Sequence, residues 1–530
     1  MADDVLLALA GAAKKKKKRK RKRCRLVKRT KVIKGKRKVV KVRKCRPKKK
    51  PAKKPAPAYN APAPAPLPAP PVPDPPAPPR LKTIQSPIAV YQGAFGPRQA
   101  ERLAWRAGFG PRPGQVAQLA AMDLEAAVMS FTRPEGQAPL DGPEPRNGAN
   151  PINPASDEGA FTYWLDRMVR SRHQLVERLA LVFHDWWATR RDGVNTNAEM
   201  LNQTNIFRAH GLGSFRDMTR AVTTDPAMLQ FLDGMSNRRG AVNENYAREL
   251  MELFTLGADR GANTETDVRE LARALTGWRA DYNNGWVNWR WDELGRWDFQ
   301  NKTIFGRTGR FDWQDACELV LTHPMHPSFF VHKLWSYFIP TPPDAGTSAA
   351  LEQHYVATGL QVRPIVEAIL CSPQFYEGPR MVKPPIVLSA GLMRATDRGI
   401  ENLEWWYKSD RTGQRIYYPP DVSGWNDQRW LDTNTTVGRW ELVGVALAGK
   451  MVKNQAADTY PEQSAEEAVA AARAFWGDPD LTAESVEQLL AFARAVVPAT
   501  GTPLNLARLR AQRFNALRQL IAAGPDHQTC

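Results

Sequence analysis

The 530-residue chain has only five cysteines, none in a paired CxxC arrangement, so the ligand spacing of a zinc ribbon or zinc finger is absent. It has no run of about 18 apolar residues, so no transmembrane helix is expected. Strand-like alternation is scarce outside 282–305, and no repeat of about 20–50 residues recurs, which argues against a solenoid. The sharpest absence is local. Residues 14–54 hold 27 Lys/Arg and no Asp or Glu.

What is present follows from that partition. The formal net charge is +21, yet without the tract's 27 cations, 48 basic residues face 54 acidic ones, a balance of −6. The basicity belongs to an arm, and the rest is a slightly acidic chain. A pI of about 9.8 therefore does not mark the folded part as nucleic-acid-binding.

Composition divides the chain into a basic, mostly disordered tail at 1–54, a Pro/Ala-rich linker at 55–79, a helical domain at 80–455 and a helical extension at 456–530. Val5–Ala13 resembles a signal-peptide core, but Asp3 and Asp4 precede it and the cations follow, so no cleavable signal is expected. A like-charged tract self-repels and cannot bury a core. Within it, Cys24 and Cys45 are equidistant from Lys34-Gly35 and would face each other across a hairpin, which an oxidising compartment could clip. Residues 51–79 contain 14 prolines, a polyproline-type spacer reaching about 90 Å at ~3.1 Å per residue.

From residue 80 the pattern is helical. Phe161, Trp164, Leu165, Met168, Leu175, Leu179, Val182, Phe183 and Trp186 recur at helical spacing, predicting one helix of about seven turns. Asn243 is placed as the N-cap of a helix ending at Gly257. Thr264 and Asp267 form a capping box, Asp312 caps another helix, and Pro327 lies in the first turn of the next. Further helices are expected at 362–371, 385–396, 436–451, 463–476, 482–495 and 503–523. Cys317 and Cys371 read as buried thiols. The expected fold is mainly α, a multi-helical globular body with a short Trp-rich β/loop insertion.

Several segments can carry chemistry. In 243–257, Glu244, Arg248 and Glu252 share a helix face and Glu249 lies at the edge of the apolar stripe, an arrangement suited to acid/base work or to a salt-bridged surface. Asp298 and Lys302 are four apart in a loop that can hold an anion or form a surface pair. His323 and His326 are weak metal candidates, with helix-end roles as the alternative. Trp286, Trp289 and Trp291, among Asn283, Asn284 and Asn288, suit a glycan surface or loop packing. The Tyr417–Trp425 loop brings Asp421, and beyond it Asp432, toward a cleft, or is pinned only by its prolines. His184-Asp185 reads as a core polar pair.

These blocks together resemble the bacterial family catalogued as domain of unknown function 1800. The matching stretches are Arg102–Gly114, Asn243–Gly257, Thr264–Val268 with Ala272–Trp278, the Asp298/Lys302 loop, His326-Pro327 with Lys333-Leu334-Trp335, and Pro419–Trp425. The family often has His where this chain has Trp297, and its first-helix motif here reads Phe183-His-Asp-Trp-Trp187. The resemblance implies a bacterial protein, exported in many members, that accompanies a sulfatase-like partner. Asn243, Glu244, Arg248, Glu249, Glu252, Asp298 and Lys302 match the motifs. The combined expectation is an envelope-associated, hydrolase-like or glycan-binding protein, with Glu244 or Glu249 as base, Lys302 stabilising negative charge and Arg248, Asn243 and Asp421 binding. The tail would grip an anionic polymer, a cell-wall polyanion or nucleic acid. The alternatives are a non-enzymatic scaffold for the sulfatase-like partner and a tail-driven nucleic-acid-associated protein. No cofactor is assigned.

Overall fold

Helix-capping residues and apolar spacing punctuate the chain into short helices joined by tight turns. The computed structural model describes residues 24–33, 36–45, 83–283, 286–292, 295–453 and 460–530. The expected disorder of the remaining tail and the polyproline spacer lie outside these residues, as do the side chains of Trp286 and Trp289. Contacts divide the chain into two units, Met1–Arg80 and Leu81–Cys530. In the first, strands Cys24–Ile33 and Lys36–Cys45 pair antiparallel, with Ile33 opposite Lys36 and Cys24 opposite Cys45.

The second unit is mainly α. Its strands are three short two-stranded ribbons, the longest pairing Trp278–Asn283 with Trp286–Trp291. Capping explains many boundaries. Thr264 accepts from the Asp267 amide and the Asp267 side chain closes the box on Thr264, opening Glu265–Ala274. Asp312 caps Trp313–Leu321 in the same way.

Two helices differ from the sequence expectation. The single long helix over 161–186 is two, Asp157–Arg170 and Gln174–Trp186. Residues 139–141 pair with the intervening backbone: the Arg172 amide donates to the Pro139 carbonyl at 3.0 Å and the Asp141 amide to Arg170 at 2.9 Å. That tertiary pairing overrides the continuous apolar stripe. The helix expected from Asn243 begins at Asn245 and changes register, running α over Asn245–Glu249 and π over Leu250–Thr255. Asn243 instead accepts from the Asn245 amide at 3.0 Å and donates from its own amide to Asn237.

The core is bound together by buried guanidinium groups that bond to backbone carbonyls. Arg106 reaches the carbonyls of Phe338, Phe375 and Pro379. Arg102 reaches Phe375, Tyr376 and Gly378. Arg394 donates to Gly110 and Val169 at 2.8 Å each. Arg439 joins the Trp430 and Lys383 carbonyls, at 2.8 Å each, to the Gln528 side chain. Burial lowers Arg394 to about 9 and Arg439 to about 10, well under the usual guanidinium value.

Helices after residue 465 belong to this unit. Trp440 Nε1 donates to the Ala523 carbonyl at 3.1 Å, and Met381 and Cys530 exchange backbone hydrogen bonds at 2.8 Å. Cys317 and Cys371 are buried, and burial pushes each thiol up to about 12.

Arg394→Met should destabilise the folded chain by about 3 kcal/mol, because the Gly110 carbonyl loses its Arg394 donor and Val169 keeps only Arg112, at 3.0 Å. Urea midpoints at constant m-value check this, and a loss below about 1 kcal/mol would show these bonds to be dispensable.

Candidate functional site

The carboxylates of 244–252 form a surface lattice around one guanidinium. Arg248 pairs with Glu265 at 2.7 Å, Glu252 at 3.3 Å and Glu244 at 3.4 Å. The Glu265 bond holds Arg248 well above its ordinary value, and Arg248 holds Glu265 below the carboxylate range. Glu249 differs: it is half-buried, takes no hydrogen bond among the described residues, and is raised by burial and then by Glu252.

Asp298 and Lys302 are locked inward. Asp298 accepts from Arg273 Nε at 2.8 Å and from the Gln300 amide at 3.0 Å, and its own amide donates to Thr276. Burial opposes the Asp298 charge, yet these donors hold it below the usual carboxylate range. Lys302 is 1% exposed, donates to the Asp298 carbonyl and to the Phe311 carbonyl at 2.7 Å, and lies 4.9 Å from the Trp297 ring centre. Burial lowers it to about 8. With its donors committed to backbone oxygens, it is a brace and not an anion clamp.

The two clusters do not share a cleft. Glu265 and Arg273, their respective partners, stand at opposite ends of Glu265–Ala274, about 12 Å apart at 1.5 Å per residue. This removes the geometry expected for Glu244 or Glu249 as base with Lys302 beside it.

His323 and His326 do not converge on a metal. His326 donates from Nδ1 to the Thr255 carbonyl at 2.8 Å, and its Nε2 faces the Tyr355 hydroxyl at 3.2 Å. His323 Nδ1 accepts from the Met325 amide at 3.2 Å, and its ring packs on Phe305. Among the described residues no three His, Cys, Asp or Glu side chains gather as a metal cluster.

His326 belongs to a different device. Beyond the π-helical turn, the carbonyls of Leu253, Phe254, Thr255 and Leu256 are taken by Lys333 at 3.1 Å, Trp186 at 3.1 Å, His326 at 2.8 Å and Arg260 at 2.7 Å. Four side chains thus satisfy the orphan acceptors of one helix end. Trp291 is also structural in part, donating to the Thr276 carbonyl at 3.1 Å and packing on Trp297.

The 417–432 loop borders a cavity lined by charged side chains. Asp185, at the end of Gln174–Trp186, accepts from the Trp425 amide and from the Tyr337 hydroxyl at 2.7 Å each. A Cβ on Gly424 would come within 2.4 Å of Asp185 Oδ1, and its φ of +95° lies in the left-handed region, so only glycine fits. Burial raises Asp185, while the Trp425 and Tyr337 bonds and the charge of Lys333 favour its ionised form. Burial lowers Lys333 to about 8. His184 accepts from the Tyr417 amide at 3.1 Å, and burial lowers its ring to about 3.

Beyond that anchor lies a polar cavity of about 750 Å3, walled by Tyr418, Trp425 and Arg415 and by Asp410, Asp421, Asp427 and Asp432. Asp421 accepts from the Ser423 amide and hydroxyl, at 2.9 and 2.5 Å, and Asp432 caps Thr433–Leu447. Arg415 stacks between Trp406 and Tyr418, 3.8 and 3.9 Å from the ring centres, and pairs with Asp410. Asp427 is exposed, and while its carbonyl accepts from the Trp430 amide at 3.1 Å, its carboxylate takes no hydrogen bond among the described residues. Sequence reasoning named Asp421 and Asp432 but missed Asp410, Arg415 and Asp427. Their clustering with the Tyr417–Trp425 loop was the only available signal.

A mainly helical unit with buried arginine braces and an Asp185-anchored polar loop defines the class structurally. Residues 102–529 match the family described as Protein of unknown function (DUF1800), and the chain belongs to that family. The match runs past residue 455, where composition suggested a boundary. No curated protein and no solved structure matches the chain.

The folded state holds His326 neutral at a value of about 4, lowered chiefly by burial, whereas the unfolded ring protonates near its ordinary 6.5. The stability from this neutral ring is whole above about pH 6.5 and is lost as pH falls toward about 4. The wild-type advantage over His326→Gln should therefore shrink across that window. Urea midpoints of both proteins at several pH values measure it, and a pH-independent difference would contradict the assignment.

Proposed function

We propose that this protein is a carbohydrate-binding member of its family, with the 410–435 cavity as its ligand site and the basic arm as a tether. The observation that carries the reading is the cavity itself. Its volume of about 750 Å3 suits a sugar of one or two rings. Trp425 supplies a half-exposed indole for a C–H face. Asp427, whose carboxylate takes no hydrogen bond among the described residues, and the Arg415–Asp410 pair supply acceptors and donors for hydroxyls.

A binding role fits better than hydrolysis because, of the expected catalytic groups, all but the half-buried Glu249 are committed elsewhere. Lys302 braces two carbonyls, Asp298 pairs with Arg273, and Glu244 and Glu252 pair with Arg248. In this reading the protein acts at the bacterial envelope. Its 14–54 arm, with 27 cations and no acid, holds an anionic polymer through counterion release.

A glycan array probed with the full chain, followed by calorimetry on a retained sugar, tests the cavity. Asp427→Asn should weaken binding about tenfold, or ~1.4 kcal/mol, without moving the melting temperature. An array on which no glycan is retained, or retention equal for the variant, would sink the reading.

The arm is tested with poly(glycerol phosphate) and duplex DNA. Removing residues 14–54 should lower affinity for both by more than about a hundredfold. The full chain's log affinity should fall steeply with log salt, each neutralised phosphate contributing a slope of roughly −0.7 to −0.9. Binding that survives removal would place the polymer on the body instead.

A further inference from the structure

The turn over 236–244 and the segment over 296–310 bring four arginines together. The turn is tight: Arg238 and Ala241 exchange backbone hydrogen bonds at 3.2 and 2.9 Å, and Gly240 has a φ of +79°. The Arg239 amide donates to the Arg296 carbonyl at 2.8 Å, which docks the turn on the second segment. Arg239 then stacks on exposed Phe299, 4.9 Å from its ring centre. Arg310 covers Trp297 and the same Phe299, at 5.0 and 5.8 Å. Beside this stack, Arg238 and Arg296 line a cavity of about 750 Å3 with Ser236, Asn243 and Glu244.

None of the four arginines has an acidic partner among the described residues. Among the described residues the acids nearby are committed: Asp292 pairs with Arg279 at 3.3 Å, and Glu244, the carboxylate on the cavity wall, pairs with Arg248 at 3.4 Å. Arg296 donates to the Met235 carbonyl, but its Nε is buried with no partner. Burial, and then the charges of Arg238 and Arg279, lower Arg296. The charge of Asp292 favours the Arg296 cation, but Asp292 is already paired with Arg279; clustered cations repel one another, and an anion placed among them reduces that cost. Guanidinium forks match the oxygens of a tetrahedral anion in pairs, as a lysine does not.

We propose that this cavity is a binding site for a tetrahedral oxyanion, a phosphate or sulfate group carried as an ester or free. Arg238 and Arg296 make the direct contacts, Asn243 and Ser236 add neutral polar ones, and the Arg239–Phe299–Arg310 stack holds the turn in place. The site is separate from the sugar cavity at 410–435 and does not depend on it. Asn243 and Glu244, singled out in sequence for acid/base and binding roles, take different parts here: Asn243 pins the turn through Ser236, its Nδ2 donating at 2.7 Å, and Glu244 bounds the cavity.

The test is peptide-resolved modification of the full chain by phenylglyoxal, which separates body arginines from those of the arm. Inorganic phosphate, sulfate, glucose 6-phosphate and glucose 6-sulfate are compared with chloride at equal ionic strength. Modification of Arg238 should slow at least fivefold with one or more of the four, while exposed Arg98 serves as the control. Protection by the free ions alone identifies an inorganic anion, and stronger protection by an ester identifies a substituted sugar. Arg310→Gln, on an exposed stacking residue, should reduce Arg238 protection at least threefold at unchanged melting temperature, and Asp427→Asn should leave it intact. Equal rates in chloride and in all four probes, or equal protection of Arg98, would overturn the proposal.

Discussion

The fold depends on guanidinium groups placed where backbone carbonyls would otherwise be buried without donors. A mainly helical unit built from many short helices has many helix ends, and each end leaves carbonyls unpaired. Arg102, Arg106 and Arg394 meet that demand across hundreds of residues of sequence, as in the Arg106 bond to the Pro379 carbonyl at 2.8 Å, and Arg439 meets it over shorter spans. A fork of five donors can join several chain segments at once. Arg394 and Arg439 make these cross-links to carbonyl and amide oxygens with no carboxylate partner, whereas Arg170 and Arg208 form ion pairs with the buried carboxylates of Asp166 and Glu177.

The same demand explains why charged side chains that look catalytic are not free. Lys302 and Lys333 both end on carbonyls, those of Asp298 and Phe311 and that of Leu253. Lys333 also links two regions. It caps the strand of carbonyls left by the π-helical turn, and its charge bears on Asp185, which fixes Gly424 and Trp425 at the rim of the polar cavity. The register change at Leu250–Thr255 is therefore connected, through one lysine and one aspartate, to the shape of the candidate sugar site. Extra-residue turns of this kind are found disproportionately near functional sites, and here the mechanical route is visible.

Much of this was legible in the sequence, and the failures have physical causes. The mainly α class, the Thr264 and Asp312 caps and the buried thiols followed from periodicity and capping chemistry, which are local. The break at Ser171 was hidden because the apolar stripe continues through it; only the distant pairing with 139–141 interrupts the helix. The π register at 250–255 has no local signature, since it rests on partners at Trp186, His326 and Lys333. Asp298 and Lys302 were recognisable as a functional-looking pair, but spacing could not reveal that Arg273 and two carbonyls occupy them. Asp421 and Asp432 were readable as cleft candidates because proline and glycine mark the loop. Asp410, Arg415 and Asp427 were not, because nothing in their local sequence shows that the chain folds them around one cavity.

Charge has to be treated at two length scales in this chain. The arm's charge is a sum over 27 cations with no acid among them, and in the tether proposed above its hold on a polyanion would weaken with salt. The body's balance of −6 is diffuse, and beyond about 10 Å it is screened at ~0.1 M salt. Net charge therefore says little about what the body binds. At short range the arrangement of guanidiniums decides: where they end on carbonyls, as at Arg394, they are structure, and where they line a cavity whose one carboxylate, Glu244, is already paired with Arg248, as at Arg238 and Arg296, they are the proposed ligand contacts. That distinction, between cations already answered by the backbone and cations still unanswered, separates brace from site throughout this unit.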